Sequence, residues 1–365
     1  MRCGKLRSNH ADAGSTVYGY NEPLRLEEIP APDIGTSEVP IKVAAAGMCR
    51  SDFQLVNGYF REGIPMAFPI TPGHEVAGTI AAVGADVPES AGLSEGELVV
   101  VDPNWGDGVC RQCREGNEQL CGDGQLVGFG PPGGFADYMA VPHRHVIAVP
   151  GGPGRKPETL APLTDAGLTP YRGMKKLRAA GKLGADRIVV VNGIGGLGSY
   201  AVQYARLLGG GATVVAFARS DEKLTVAREN GAHHTVNTRH KTAEDVQNEL
   251  ENLTGRREVD AVLDCAGAEE SLTLGFSILA AEGALTSVGL IGQRVELPLF
   301  PFVSGERSYF GSFWGNYNDL TEVLSLADEG LIKHNINPVK LDYINDNLEA
   351  LGRGDVVGRA VIVYD

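Results

Sequence analysis

One stretch of this chain gathers ligand chemistry into a small space. It is Gly73-His74-Glu75-Val76-Ala77-Gly78, preceded by a lone cysteine in Gly47-Met48-Cys49-Arg50-Ser51-Asp52 and followed by a carboxylate in Pro162-Leu163-Thr164-Asp165. Thiolate, imidazole and carboxylate are the three ligand types of a catalytic zinc site, which keeps one position open for water or substrate. Singly, each residue has an ordinary explanation: a lone cysteine is most often a small buried hydrophobe, and His-Glu can simply belong to a turn. The ordered set, taken with two further motifs, points to metal-dependent catalysis.

The first of those motifs is a second cysteine group, Asp107-Gly108-Val109-Cys110-Arg111-Gln112-Cys113 followed by Cys121. A C-x-x-C pair with a third cysteine close behind has the tight spacing of a structural zinc lobe. Asp107, three residues before Cys110, is the natural fourth ligand. Three thiolates and one carboxylate would close the site and leave no position for substrate. The competing reading, a redox pair, needs a thioredoxin-like context that this segment lacks.

The second motif is Val191-Asn192-Gly193-Ile194-Gly195-Gly196-Leu197-Gly198. Gly193, Gly195 and Gly198 fit the G-x-G-x-x-G pattern, which provides a tight turn, close backbone approach to a pyrophosphate and close helix packing. In a chain with 49 glycines the pattern alone is weak; its place between an apolar strand and an amphipathic helix makes it strong. An NAD-binding fold normally closes its second strand with an acid that binds the ribose 2′-hydroxyl. Here that strand reads Val214-Val215-Ala216-Phe217-Ala218-Arg219-Ser220, with Ala218 where the acid would stand. A missing carboxylate beside a guanidinium and a hydroxyl suits a 2′-phosphate. NADP(H) is therefore favoured; NAD(H), with Arg219 stacked on adenine, is the alternative.

The elements that must position these motifs fall into two regimes. Up to about residue 165 the chain shows short β-rich runs broken by Gly and Pro: Val39 to Ala46, Gly78 to Val83, Glu97 to Val101 and Ala136 to Val141. From about residue 166 strands and helices alternate. Ile188 to Val191 and Thr213 to Phe217 are continuous apolar runs, as buried parallel strands are, each followed by helical periodicity, in Leu197 to Leu208 and Glu222 to Asn230. Further strands are predicted at Ala261 to Asp264, Ala284 to Val288 and Tyr309 to Phe313, then a helix at Tyr317 to Ala327 and a closing strand at Gly358 to Val363. The layout is α/β: a β-rich domain and a doubly wound nucleotide-binding domain.

Composition bounds the partners. At 365 residues two domains are expected. A net charge of −14 argues against nucleic acid or an anionic membrane surface. No apolar run reaches the roughly 18 residues of a spanning helix, and Met1-Arg2-Cys3-Gly4-Lys5 lacks the apolar core of a signal peptide. Six cysteines are too few for a disulfide scaffold, and their clustering suits metal in a reducing compartment. A cytoplasmic enzyme is expected. Cys3 and Cys265 read as incidental, and His143, His145, His233 and His234 as surface or internally satisfied residues.

With these residues in hand, the chain resembles the zinc-dependent medium-chain alcohol dehydrogenases over nearly its full length. The family signature G-H-E-x2-G-x5-G-x2-V is met by Gly73, His74, Glu75, Gly78, Gly84 and Val87. Ala161-Pro162-Leu163-Thr164-Asp165-Ala166-Gly167-Leu168-Thr169-Pro170-Tyr171 resembles the branch acting on secondary and aryl alcohols, whose third catalytic ligand is Asp. An acid in place of the first lobe cysteine, as at Asp107, also occurs among archaeal members.

The resemblance implies a GroES-like catalytic domain over 1–166 and 315–365, with a structural zinc lobe at about 102–124, and a Rossmann domain over 167–314. It implies two zinc ions per chain: one on Cys49, His74 and Asp165, the other on Asp107, Cys110, Cys113 and Cys121. Glu75 would act as a transient further ligand, and Asp52 would orient the His74 ring. Ser51 would bond the alcohol oxygen and start a proton relay through the nicotinamide ribose. Many relatives carry His where this chain has Gln54, so the last step of that relay departs from the family pattern. Arg50, with Gly193, Ile194, Gly195, Gly196, Leu197, Gly198, Ala218, Arg219 and Ser220, would face the cofactor. Phe53, Trp105 and Trp314 match positions that line the substrate cleft in relatives. The implied activity is hydride transfer between a secondary or aromatic alcohol and a nicotinamide, in a homo-oligomer, dimer or tetramer. A polyol or sugar dehydrogenase is the alternative within the family. A zinc-free quinone or enoyl reductase would lack the ligand set, and a non-enzymatic scaffold would need neither Ser51 nor Asp52.

Overall fold

A computed structural model describes residues 12–64 and 66–364; Cys3 and the first residues of the chain lie outside them. The chain forms two compact units. One comprises the residues up to Asp165, Asn316–Leu331 and those from Ile336 on; the other comprises Ala166–Gly315 and Ile332–Asn335. Sequence reading treats 315–365 as a single return. Instead Ile332–Asn335 docks on the second unit, where Lys333 exchanges both backbone hydrogen bonds with the Gln203 amide, at 2.7 and 3.0 Å.

The strands in chain order are β1 (Asp12–Thr16), β2 (Arg25–Ile29), β3 (Glu38–Met48), β4 (Glu75–Ile80), β5 (Leu98–Val101), β6 (Asn104–Trp105), β7 (Gln125–Leu126), β8 (Tyr138–Pro142), β9 (Val146–Ala148), β10 (Ile188–Asn192), β11 (Thr213–Ala218), β12 (His234–Asn237), β13 (Val259–Asp264), β14 (Leu279–Ser287), β15 (Ser308–Gly311), β16 (Ile336–Val339) and β17 (Arg359–Val363). The helices are α1 (Arg50–Val56), α2 (Arg111–Arg114), α3 (Pro157–Leu160), α4 (Leu168–Ala179), α5 (Gly196–Leu208), α6 (Asp221–Glu229), α7 (Ala243–Thr254), α8 (Glu269–Ser277), α9 (Leu299–Ser304), α10 (Tyr317–Asp328) and α11 (Ile344–Arg353).

In the first unit a sheet runs β16-β17-β3-β4-β5-β9, with β8 also on β3. The long strand β3 is its spine, and its apolar residues Val39, Ile41, Val43 and Met48 are buried. Antiparallel register places Met48 opposite Ala360 and Gly47 opposite Glu75. The chain therefore leaves β3 at Cys49 where β4 begins at Glu75 and β17 at Arg359. Three remote stretches of sequence meet at one end of one sheet.

The second unit is a six-stranded parallel sheet in the order β12-β11-β10-β13-β14-β15. β10 is a β-branched run buried throughout, and β11 is buried from Val214 on, as strands covered on both faces must be. Val190, Val215, Phe217, Val262, Phe276 and Leu285 build the core. The switch in strand order falls at β10, whose carboxyl end opens into the glycine loop. The polar strand β12 and helices α7, α8 and α11 escaped the reading by periodicity. β4 starts three residues before its predicted strand, so Glu75 stands in the sheet rather than in a turn.

Candidate active site

Cys49 caps the N-terminus of α1. Its backbone N–H donates to Asp52 Oδ2 at 2.7 Å, while Asp52 Oδ1 lies 3.2 Å from His74 Nδ1. One buried carboxylate thus fixes the helix start that carries the thiol and faces the far side of the imidazole. His74 Nε2 points the other way, 3.4 Å from Asp165 Oδ2, and Cys49 Sγ lies 3.2 Å from the same oxygen. Asp165 is delivered by the buried turn Ala161–Thr164, which ends in it. The three ligand atoms lie within 4.8 Å of one another, and all three residues are buried.

The sequence reading missed Arg359. From the start of β17 its Nε donates to Glu75 Oε2 at 2.9 Å and its Nη2 to Asp165 Oδ2 at 2.9 Å; Nη2 also bonds Glu75 Oε1. Glu75, expected as a transient further ligand, is thus held by a guanidinium and stands outside the ligand trio in this structure. Burial raises its carboxyl pKa above the ordinary value, against the opposing pull of Arg359.

Charge tests whether a metal fits. Asp52, Glu75 and Asp165 are buried here beside a thiol, and Arg359 is the cation the structure sets against them. Burial opposes a charge on His74, yet Asp52 and Asp165 outweigh it and hold the imidazole pKa well above its usual value. A site that draws a proton onto an imidazole has a surplus of negative charge. A divalent cation on sulfur, nitrogen and oxygen donors neutralises it.

The cysteine lobe gives a second trio of thiols with a carboxylate. Asp107, Cys110, Cys113 and Cys121 also present ligand atoms within 4.8 Å of one another. Asp107 Oδ1 accepts from the backbone N–H of Cys110 at 2.9 Å and of Val109 at 2.8 Å, which lowers its pKa to about 2. Desolvation, followed by bonds to Cys110, Asp107 and Cys121, pushes the Cys113 thiol up to about 12. Three sulfurs and a carboxylate so placed match the donor set of a closed zinc site. Sγ of Cys110 and Cys121 lie 3.7 Å apart and are not bridged.

At the nucleotide loop, Gly193 takes a φ of +93° and donates to Phe217 O at 2.9 Å. A Cβ on Gly198 would lie 2.0 Å from Gly193 O, so α5 can approach the loop only through glycine. A Cβ on Gly195 would meet open space instead, leaving room for a ligand at the helix N-terminus formed by Gly196 and Leu197. Ile194 is buried beneath the loop. Ala218 closes β11 as a buried residue, Arg219 is exposed, and Ser220 starts α6 without capping it through its side chain.

The other expected residues are scattered. Ser51 Oγ lies 3.5 Å from Cys49 Sγ, beside the trio. Gln54 is buried one turn further along α1. Arg50 donates to Leu351 O at 3.0 Å, and burial lowers its pKa. The Phe53 ring lies against Gly352 of α11. Trp105 is buried, donates to Asp102 O at 2.9 Å and stacks on His145. Trp314 is buried beside Phe313 in the second unit. An aromatic ring beside the imidazole is that of Phe129, 5.5 Å from His74, backed edge-on by Phe60 at 5.4 Å. Neither carried a motif; the only signal was a phenylalanine inside the glycine-rich run Gly128-Phe129-Gly130.

Comparison with known proteins agrees with this geometry. Residues 35–151 match the model of the alcohol dehydrogenase GroES-like domain, and residues 196–329 that of the zinc-binding dehydrogenases. A D-arabinose 1-dehydrogenase (NADP(+)) of Saccharolobus solfataricus is 36% identical, covering 94% of this chain and 95% of its own. The crystal structure of an alcohol dehydrogenase from Aeropyrum pernix superposes with a TM-score of 0.89 at 36% identity, covering 97% of this chain and 100% of that one. That of an acetophenone reductase from Geotrichum candidum in complex with NAD does so with a TM-score of 0.85 at 28% identity, covering 99% of each chain. On its two matched domains and its full-length relatives, the chain belongs to the zinc-dependent medium-chain alcohol dehydrogenase family.

Proposed function

We propose that the protein is a zinc-dependent alcohol dehydrogenase or ketone reductase that passes hydride between a secondary or aromatic alcohol and a nicotinamide, with NADP(H) preferred over NAD(H). The meeting of Cys49 Sγ, His74 Nε2 and Asp165 Oδ2 in one buried cluster carries the reading. Zinc held by these three supplies Lewis acidity, which lowers the pKa of an alcohol oxygen and polarises a carbonyl. Asp52 faces Nδ1 of the His74 ring and turns Nε2 toward Cys49 and Asp165, where it would act as a ligand. Ser51 Oγ, beside Cys49, would take the proton of the substrate hydroxyl while passing its own on to the nicotinamide ribose. Arg359 fixes the Asp165 carboxylate and keeps Glu75 in reserve. Asp107, Cys110, Cys113 and Cys121 hold a second, structural zinc.

In the nucleotide-binding unit, the loop from Gly193 to Gly198 takes the pyrophosphate at the start of α5. Ala218 removes the carboxylate that would repel a 2′-phosphate, and Arg219 and Ser220 offer donors to it. The NADP named for the S. solfataricus relative supports this preference, while the NAD bound to the acetophenone reductase supports the alternative. The aryl ketone of the latter's name supports an aromatic substrate; the sugar named for the former supports a second reading, a sugar dehydrogenase. Among the described residues no cysteine is bridged to another, which suits a reducing, cytoplasmic setting.

Elemental analysis combined with a spectrophotometric panel tests the proposal. We expect two zinc ions per chain and oxidation of 1-phenylethanol with NADP at a higher kcat/KM than with NAD. Higher kcat/KM on D-arabinose than on 1-phenylethanol would move the assignment to the sugar reading. Absence of zinc from the purified enzyme would overturn the proposal.

A further inference from the structure

His74 has a neighbour that neither the ligand set nor the cofactor reading explains. The segment Thr71-Pro72-Gly73 that leads into it lies outside β4 and has no partner in the spine strand, whose pairing with β4 ends at Glu75. Its backbone is paired instead with the far end of the glycine loop Val127–Phe135. Gly133 N–H donates to Thr71 O at 2.7 Å, Phe135 N–H to Pro72 O at 3.0 Å and Gly134 N–H to Gly73 O at 2.7 Å.

The approach is closer than any side chain permits. A Cβ on Gly133 would lie 2.1 Å from Gly73 O and 2.6 Å from Pro72 O. A Cβ on Gly128 would lie 2.9 Å from Gly73 N, and Gly73 itself, at a φ of +98°, sits with its α-carbon face against the ring of Phe135. Between its two seated ends the loop closes on itself, since Gly128 N–H donates to Pro131 O at 2.9 Å. It also carries Phe129, the ring beside the imidazole. Asp52 faces Nδ1 of the His74 ring at 3.2 Å, whereas the main chain that leads into His74 is held by this loop.

We propose that the glycine loop Val127–Phe135 is a positioning element for the metal centre: Gly128 and Gly133, seated on Gly73, fix the His74 main chain so that Nε2 meets Cys49 and Asp165. The inference rests on the zinc reading of those three residues. Loss of the groups that hold a metal ligand in place typically costs about 10- to 100-fold in metal affinity.

The test uses the full-length protein, stripped with chelator and titrated with cobalt(II) chloride, whose d–d absorption reports ligand geometry. The variants are Gly133→Ala, Phe135→Leu and, as control, Gly130→Ala, whose new Cβ on the same loop meets nothing within 4 Å. Gly133→Ala should weaken cobalt at the Cys49–His74–Asp165 centre about tenfold and shift its d–d band, with cobalt at the cysteine lobe unchanged. Phe135→Leu, which takes away part of the buried ring packed on Gly73 and inserts nothing there, should weaken that centre in the same direction, and Gly130→Ala should match the wild type. If Gly133→Ala does not fold, the Phe135→Leu result decides. Wild-type affinity and spectrum in whichever folded variant decides would overturn the inference. Cobalt uptake unaffected by Cys49→Ser would instead sink the zinc reading on which it rests.

Discussion

At the scale of single residues, Asp165 is where the strongest demands coincide. Its Oδ2 faces Cys49, His74 and Arg359 at once, so its removal takes a proposed metal ligand and a counter-charge together. Asp165→Ala should lose one of the two zinc ions proposed above and lower alcohol oxidation at least ~100-fold, more than the 10- to 100-fold typical of residues that merely support ligands. Nucleotide affinity, read by cofactor fluorescence, should stay within about twofold because the glycine loop is untouched. Retention of both zinc ions would remove Asp165 from the ligand set. Cys49, His74 and Asp165 were legible because each sits in a local motif. Arg359 was not: its partner Glu75 is 284 positions away, and an arginine opening an apolar strand looks like any strand end. Phe129 was hidden for the same reason, since contact with His74 is made by a loop and not by periodicity.

At the scale of elements, the strand–loop–helix unit from Ile188 to Leu208 was readable because its signals agree: a β-branched buried run, glycines at fixed spacing and an amphipathic helix. Strand β12 was not, because His234-Thr235-Val236-Asn237 buries only Val236 and lies at the sheet edge. Its register matters nonetheless, as Asn237 pairs with Ala218 and Thr238 N–H donates to Ala218 O at 2.9 Å. The carboxyl end of β11 is therefore held rigidly, and a new side chain at Ala218 would project from a fixed backbone. Ala218→Asp should turn preference toward NAD by about tenfold or more in the ratio of kcat/KM values, through repulsion of the 2′-phosphate and a new acceptor for the ribose hydroxyl. An unchanged ratio in steady-state kinetics would show that position 218 does not face that phosphate.

At the scale of the whole molecule, the alternation of strands and helices after residue 166 and the broken β runs before it made the two-part α/β plan legible. Assembly is written more faintly, in side chains that patterning alone places in a core or a loop. The second unit exposes Leu290, Ile291, Leu297, Leu299, Phe300 and Val303 within one stretch, with Leu299, Phe300 and Val303 of α9 at 72, 80 and 76%. Beside them in the chain runs β15, the last strand of its sheet. These six side chains leave on the order of 600 Å2 of apolar surface, most of the ~800 Å2 that each partner buries in a standard interface. A face so apolar on so acidic a chain suits a second copy related by a two-fold axis, because self-association buries it without bringing in foreign charge. Light scattering after size exclusion should therefore give a dimer or tetramer of the 38.6 kDa chain. Phe300→Glu with Val303→Glu should shift it to smaller species without altering the far-ultraviolet spectrum, since neither side chain is in the core. A wild-type monomer would refute homo-oligomerisation, and an oligomer indifferent to the two charges would move the interface elsewhere on the molecule.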